Sequence, residues 1–420
     1  MDERELWAGK ITLAFDELPP FAAPGRVWTT LTPTPVSRFS VSFSGDVDGV
    51  PQLRTGPATM QIDGSPYEHS VVVSRVESHA LIGRFNGPPP VPSGGAVSVE
   101  FGVLNLDPNS LWLEEMVVGD WTFRLTAVAD LAHGREQLRD VLGVAETHDA
   151  TLCRSDGSSF AASEAMRVLD GWRLAMSFAT GSRIGLWRQL ITCPSGMRDD
   201  GWRAFASPSV SPWHDHHRII DAHDSTGIAE LVRLVLDRRA AVGADRAAID
   251  ELAMNFALEA NGTAPTEMRI AASGAGLELL AWDQLVEDAG DGAVSKAERK
   301  RSYSDRAAAE NIAVLLSRAR IDPSVPAVLE PYASVGAATS GAVAVAALRN
   351  RVMHPRRREG ELSLPGSVWA EGSQLAVQYL ELLILHRLGY LGRYSDRFRS
   401  GWVGTTFDVP WGPVFAEFNE

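Results

Sequence analysis

The sequence predicts an α+β multidomain protein: a β-rich antiparallel N-terminal domain, sandwich or barrel, followed by an all-α helical bundle. Three observations carry this. Apolar residues recur with period two from Lys10 to Val128. Gly/Pro/Asp clusters punctuate that alternation as hairpin turns do. Beyond Asp224 the apolar spacing changes to the helical one. A chain of 420 residues exceeds a usual single domain, so two or three units, each able to bury a core, are expected.

The strands come first. Phe39, Val41 and Phe43, then Val97, Val99, Phe101 and Val103, then Trp121, Phe123 and Leu125 each place apolar side chains on one face of an extended segment. Residues 45–49 (GDVDG) and 86–95 (NGPPPVPSGG) read as turns between them. Asp46 and Asp48 lack the other ligands of a calcium loop and are turn residues. The β-rich domain is expected over 1–150.

A mixed connecting region is expected over 151–225. It holds a helix from Ser163 to Ala179, then a Gly/Ser/Pro-rich stretch; Trp172, Trp187, Trp202 and Trp213 fall in this region. Helices are expected next over 228–242, 247–260, 271–287, 304–318, 340–354 and 367–388, within a helical domain spanning 226–400. The last helix is apolar nearly all round and belongs at the centre of the bundle, with Gly389 as its C-cap. The tail over 401–420 carries Trp402, Phe407, Trp411, Phe415 and Phe418, too aromatic for a solvated end, and is expected to dock.

Composition removes several function classes. Net charge is −14, which argues against a surface that coats nucleic acid indiscriminately, so any contact with RNA must be local. Two cysteines, Cys153 and Cys193, are too few for a disulfide framework. Residues 1–5 are acidic rather than signal-like, and Leu375 to Leu388 is too short to span a bilayer. A soluble, cytoplasmic protein with no membrane partner is expected.

One segment carries chemistry. Residues 348–355 read LRNRVMHP at the end of an uninterrupted Ala/Val-rich stretch, with Thr339 and Ser340 as candidate N-caps. Val345, Leu348 and Val352 form an apolar stripe. Asn350 and His354, four apart, fall within about 40° of one another on a different face, so the amide can reach the imidazole. Pro355 places His354 in the last turn, where the negative end of the helix dipole favours imidazolium and a titration near neutral pH. Arg349 sits about 140° from His354, yet its long stem can bring a planar fork to a phosphate at the helix end. These roles suit RNA transesterification. A base takes the 2′-hydroxyl proton, the 2′-oxygen attacks phosphorus, and an acid protonates the leaving 5′-oxygen. His354 fits either step, Arg349 stabilises phosphate charge, and Asn350 holds the imidazole or a phosphate oxygen. Arg351, Arg356, Arg357 and Arg358 share an acid-free run with Arg349 and are read as RNA-positioning residues. Lys296, Arg299, Lys300 and Arg301 form a second basic run, read as a solvated surface.

On Arg349, Asn350 and His354, and on the helical half from about Ile228 to Arg393, the chain resembles the HEPN superfamily. Its nucleases carry an arginine, a polar neighbour and a histidine near a helix end. The order of β-rich front, helical middle and closing Leu388-Gly389-Tyr390-Leu391-Gly392 is similar to large ApeA-type HEPN proteins of bacterial phage defence. The resemblance implies a metal-independent endoribonuclease of antiviral (abortive infection) or toxin type, without a cofactor. Its target would be RNA, transfer RNA among the candidates, and its products would end in a 2′,3′-cyclic phosphate. It also implies a homodimer through the helical domain whose two Arg-His sets build one cleft, an activator or phage-derived trigger, and Glu278 as an auxiliary residue orienting Arg349 or His354. An alternative of a different class is a non-catalytic HEPN-like module binding RNA or a nucleotide, or a partner-dependent defence subunit.

Other candidates read blandly. His214, Asp215, His216, His217, His223 and Asp224 have metal-site composition but no ligating spacing, and no metal is expected. Gly274-Ala275-Gly276 follows no strand and lacks a third glycine, so it reads as close helix packing rather than a dinucleotide loop. His386 reads as a core histidine, and His69, His79, His133 and His148 have no partner legible in the sequence.

Overall fold

The computed structural model describes residues 3–16, 19–30, 36–42, 55–63, 68–77, 80–85, 95–107, 114–128, 143–196, 198–199, 210–212, 217–288, 294–326, 329, 340–353, 364–399 and 405–412. The chain divides into two units, Met1–Arg173 with Arg183–Asp215, and Leu174–Ser182 with His216–Glu420.

In the first unit, β1 (Glu3–Ala14), β2 (Phe21–Thr30), β3 (Val36–Ser42), β4 (Gly56–Ile62), β5 (Glu68–Glu77) and β6 (Ala80–Phe85) close a barrel in the order β1-β2-β3-β6-β5-β4. Closure comes from antiparallel pairing of β1 with β4, Ile11 opposite Ile62 through Ala14 opposite Thr59. Period two delivers Ile11, Leu13, Val27, Phe39, Val41, Met60, Ile62, Val71, Val73 and Leu81 to the interior, which they fill as a packed core. Gly83 is required there: a Cβ would stand 2.5 Å from the Phe39 ring. Of the two expected architectures, sandwich or barrel, residues 3–85 adopt the barrel.

The alternation continues past residue 85 into a separate sheet. The strands of this region are β7 (Gly95–Ala96), β8 (Ser98–Leu104), β9 (Glu115–Val118), β10 (Trp121–Ala127), β11 (Glu146–Arg154), β12 (Phe160–Ala161), β13 (Gly185–Thr192) and β14 (Arg198–Asp199). Six of them run antiparallel in the order β14-β13-β8-β11-β10-β9, and β12 pairs with β7. Helix α1 (Ala162–Thr180) covers this sheet through Trp172, stacked on Phe123 at 5.4 Å and edge-on to Phe101 at 5.9 Å. Because β11 crosses position 150 and β13 pairs with β8, the region expected as a connector begins inside the sheet. Trp202 and Trp213, like the turns at 45–49 and 86–94, lie outside the described residues.

The second unit is helical: α2 (Ser225–Ala241), α3 (Ala244–Asn261), α4 (Thr266–Trp282), a π-helical turn (Asp283–Glu287), α5 (Lys296–Ser304), α6 (Ala308–Arg318), α7 (Gly341–Met353) and α8 (Gly366–Leu388). Short pairs β15 (Arg393–Tyr394) and β16 (Phe407–Asp408) follow. Asp224 caps α2, accepting from the Gly227 N–H at 2.8 Å. Helix α8 is buried along most of its length and packs on α2, α3, α4 and α7. Gly389 ends it in the left-handed region at φ 75°. Gly276 lets α4 approach α8, since a Cβ would stand 2.7 Å from Leu380, which is the close packing expected of that glycine pair. From the tail, the Trp411 indole donates to the Tyr390 carbonyl (2.8 Å) and meets His386 edge-to-face. Helix α5 was not expected; its basic composition suggested a solvated run instead. Among the described residues no helix is long and apolar enough to cross a membrane, and both cysteines are free.

Candidate functional site

Helix α7 begins at Ser340, whose hydroxyl accepts from the Val343 N–H at 3.3 Å. Ala342, Ala344, Val345, Ala346 and Leu348 are buried, and the burial fixes the rotation of the helix about its axis. That rotation turns Arg349 toward α4. Its stem lies on Gly274, where a Cβ would stand 2.5 Å from Arg349 Cγ, so glycine opens the groove the side chain occupies. At the far end Arg349 Nη2 donates to Glu278 Oε2 at 2.7 Å and Nη1 to Asn350 Oδ1 at 3.1 Å. The Arg349 side chain is 18% exposed and that of Glu278 32%. A guanidinium has five donors, so one such side chain can bind a carboxylate and a phosphate oxygen together.

Gly274 and Glu278 share a face of α4 with Trp282, one position in four. Trp282 meets Tyr303 of α5 edge-to-face at 5.2 Å. Burial pushes the Tyr303 hydroxyl above its ordinary value of 10, the Glu278 charge adds to this, and Arg349 opposes it. Four groups of this face therefore act on one another: Arg349, Glu278, Trp282 and Tyr303. The sequence reading had only the first two. The spacing of Trp282 four residues after Glu278 is legible in the sequence, whereas Tyr303 arrives from α5, where the basic composition suggests only a solvated surface.

Of the remaining residues of the expected site, Asn350 and Arg351 are among the described residues. Asn350 is exposed and hydrogen-bonds Arg349, where the sequence had suggested the imidazole or a phosphate. Arg351 is half-buried. His354, Arg356, Arg357 and Arg358 lie outside the described residues.

Elsewhere the titratable groups serve the fold. His217 Nε2 donates to the Ser395 carbonyl at 3.2 Å, and burial lowers its pKa. His386 is half-buried and lowered by burial, while His223 is exposed. His79, His133, His214, Asp215 and His216 lie outside the described residues. Among the described residues no group of three or more His, Cys, Asp or Glu is placed to hold a metal ion. A cavity of about 400 Å³ in the helical unit is lined by Leu375, Tyr379, Tyr394, Asp396 and Phe398 among others. Its polar groups satisfy each other: Tyr394 donates to Asp396 (3.0 Å) and Tyr379 to the Ser324 carbonyl (3.3 Å).

Two stretches match described sequence families. Residues 112–216, from the second sheet through α1 and β14, match the YopA central domain, and residues 245–408, from α3 to β16, match the YopA C-terminal domain. No solved structure matches. Neither family description refers to HEPN, so that resemblance rests on Arg349, Asn350, His354 and their helical setting. A relative in Bacillus subtilis (strain 168), the SPbeta prophage-derived uncharacterized protein YopA, is 24% identical over 302 residues. The match covers 70% of this chain and 64% of that protein, so the chain spans less than two thirds of its relative's length. Its sheet and its helical half are thus similar to the central and C-terminal domains of YopA proteins.

Proposed function

We propose that the chain is a metal-independent endoribonuclease of the HEPN type. The supporting observation is the placement of Arg349: it lies near the C-terminal end of α7, its stem on Gly274, its guanidinium oriented by the Glu278 carboxylate, five positions before His354. In this reading Glu278 orients the guanidinium toward the equatorial oxygens of a scissile phosphate. His354 removes the 2′-hydroxyl proton or protonates the 5′-oxygen, and Arg351, Arg356, Arg357 and Arg358 position the strand. The protein works as a homodimer through its helical unit in the cytoplasm. Its setting is antiviral or toxin-type defence; the prophage origin in the relative's name supplies a phage context for that relative.

His354→Ala should abolish cleavage of a mixed RNA pool in EDTA while leaving the thermal midpoint unchanged, and wild type should leave 2′,3′-cyclic phosphate ends. Undiminished cleavage by pure His354→Ala refutes the assignment. One observation favours the second reading, a non-catalytic RNA- or nucleotide-binding module: a carboxylate in contact with Arg349 offsets its charge and weakens its pull on phosphate. That reading expects intact RNA with pure wild type under the same conditions.

A further inference from the structure

Gly274, Glu278 and Trp282 follow one another at intervals of four along α4, so they line one face at a rise of about 6 Å per step. The Arg349 stem covers the first, its guanidinium binds the second, and Tyr303 meets the third. Trp282 is fixed in its plane: Nε1 donates to Glu287 at 3.2 Å, and Glu287 is held in turn by Lys296 at 2.6 Å. Both rings are only half-buried. Lys300 lies three residues before Tyr303, on the same face of α5. It is exposed, and its ammonium has no side-chain partner among the described residues. Within that basic run Lys296 is engaged with Glu287 and Arg299 with the carbonyls of Val286 and Val294, while Arg301 is exposed like Lys300. An aromatic pair one helical turn from a guanidinium, with a second cation beside it, has the dimensions and charge of a nucleotide site. Rings offer any base a stacking face, and the flanking cations take the phosphates.

We propose that Trp282 and Tyr303 form a stacking subsite for one base of single-stranded RNA, with Arg349 and Lys300 on the flanking phosphates. The inference rests on the phosphate assigned to Arg349 above. It explains which RNA the site accepts: bases already stacked in a duplex cannot reach the rings, and unpaired ones can. Glu278 and Glu287 repel the backbone on either side of Trp282, which directs phosphates to Arg349 and Lys300.

The test uses a fluorescein-labelled 2′-O-methyl oligoribonucleotide, uncleavable because its 2′-oxygen carries no proton, read by anisotropy with the full chain. Tyr303→Leu, which keeps apolar bulk and removes the ring, should weaken binding about tenfold. Lys300→Gln, at an exposed position outside the core, should lower the slope of log affinity against log salt by about one. The same sequence as a duplex should bind equally to wild type and Tyr303→Leu. Single-strand affinity unchanged in both variants, or a wild type without preference for the single strand, overturns the subsite. Should Tyr303→Leu fail to fold, Lys300→Gln and the strand preference decide. Because the ligand cannot be cut, Tyr303-dependent binding by a protein that leaves natural RNA intact removes the nuclease reading and keeps the subsite. Normal cleavage with Tyr303-independent binding does the reverse.

Discussion

Arg397 shows how much a single side chain carries in the helical unit. Its side chain is 2% exposed and that of Glu381 4%. Arg397 Nε donates to Glu381 Oε2 (2.9 Å), Nη1 to Gln374 Oε1 (3.0 Å), and Nη2 to both Glu381 Oε1 (2.5 Å) and Asn261 Oδ1 (2.9 Å). Such an arrangement offsets the desolvation of a guanidinium only while every partner is present. Arg397→Met is expected to cost about 3–5 kcal/mol, because it strands a buried carboxylate. The double variant Arg397→Met with Glu381→Leu should recover most of that. Urea unfolding of both reads the difference, and a double variant no more stable than the single one would show that the charge is not the cause. The sequence marks Gln378 and Glu381 as polar breaks in an apolar helix. It does not mark their partner, which the chain delivers only after reversing at Gly389. Arg387 is similar: it meets Asp250 of α3 at 2.5 Å and Asp283 of the π-helical turn at 2.7 Å.

Among the elements, α5 separates what was legible from what was read. Ser295 and Glu298 form a capping box, the Ser295 hydroxyl accepting from the Glu298 N–H and the Glu298 carboxylate from the Ser295 N–H. That Ser-x-x-Glu spacing stands in the sequence beside a basic run whose composition points to a solvated surface instead. Ser295→Ala should destabilise α5 by about 1 kcal/mol and speed amide exchange across residues 296–304. Exchange unchanged there would mean that packing of Tyr303 on Trp282 holds the helix without its cap. The π-helical turn after α4 has no such signature. Periodicity carries a helix to Glu287, and only the structure shows that the hydrogen-bond pattern widens from Asp283.

At the scale of the whole molecule, the first unit has a built-in acid sensitivity. His69 in the barrel and His148 in the second sheet are buried, and burial lowers each from 6.5 to about 4. Folded chains thus keep neutral imidazoles to about pH 4, while unfolded chains protonate from 6.5 downward. The stability involved is complete above pH 6.5 and is lost as pH falls toward 4, by up to roughly 3 kcal/mol per histidine. His148→Gln should remove its share, so its stability relative to wild type should rise over that interval and stay level above pH 7. Denaturant titrations at stepped pH measure this, and a difference independent of pH between 6.5 and 4 contradicts it.

Legible in consecutive residues were a β-rich front, a helical half, the C-terminal ends of most helices and the position of Arg349 near the close of α7, because periodicity and capping are local properties. Tertiary structure alone decided that the strands split into a closed barrel and a second sheet. It also decided that β11 and β13 belong to that sheet, and that Arg349 lies on Gly274 with Glu278 and the Trp282–Tyr303 pair beyond it. These depend on which faces meet, and residues far apart in the chain leave no spacing by which their meeting can be read.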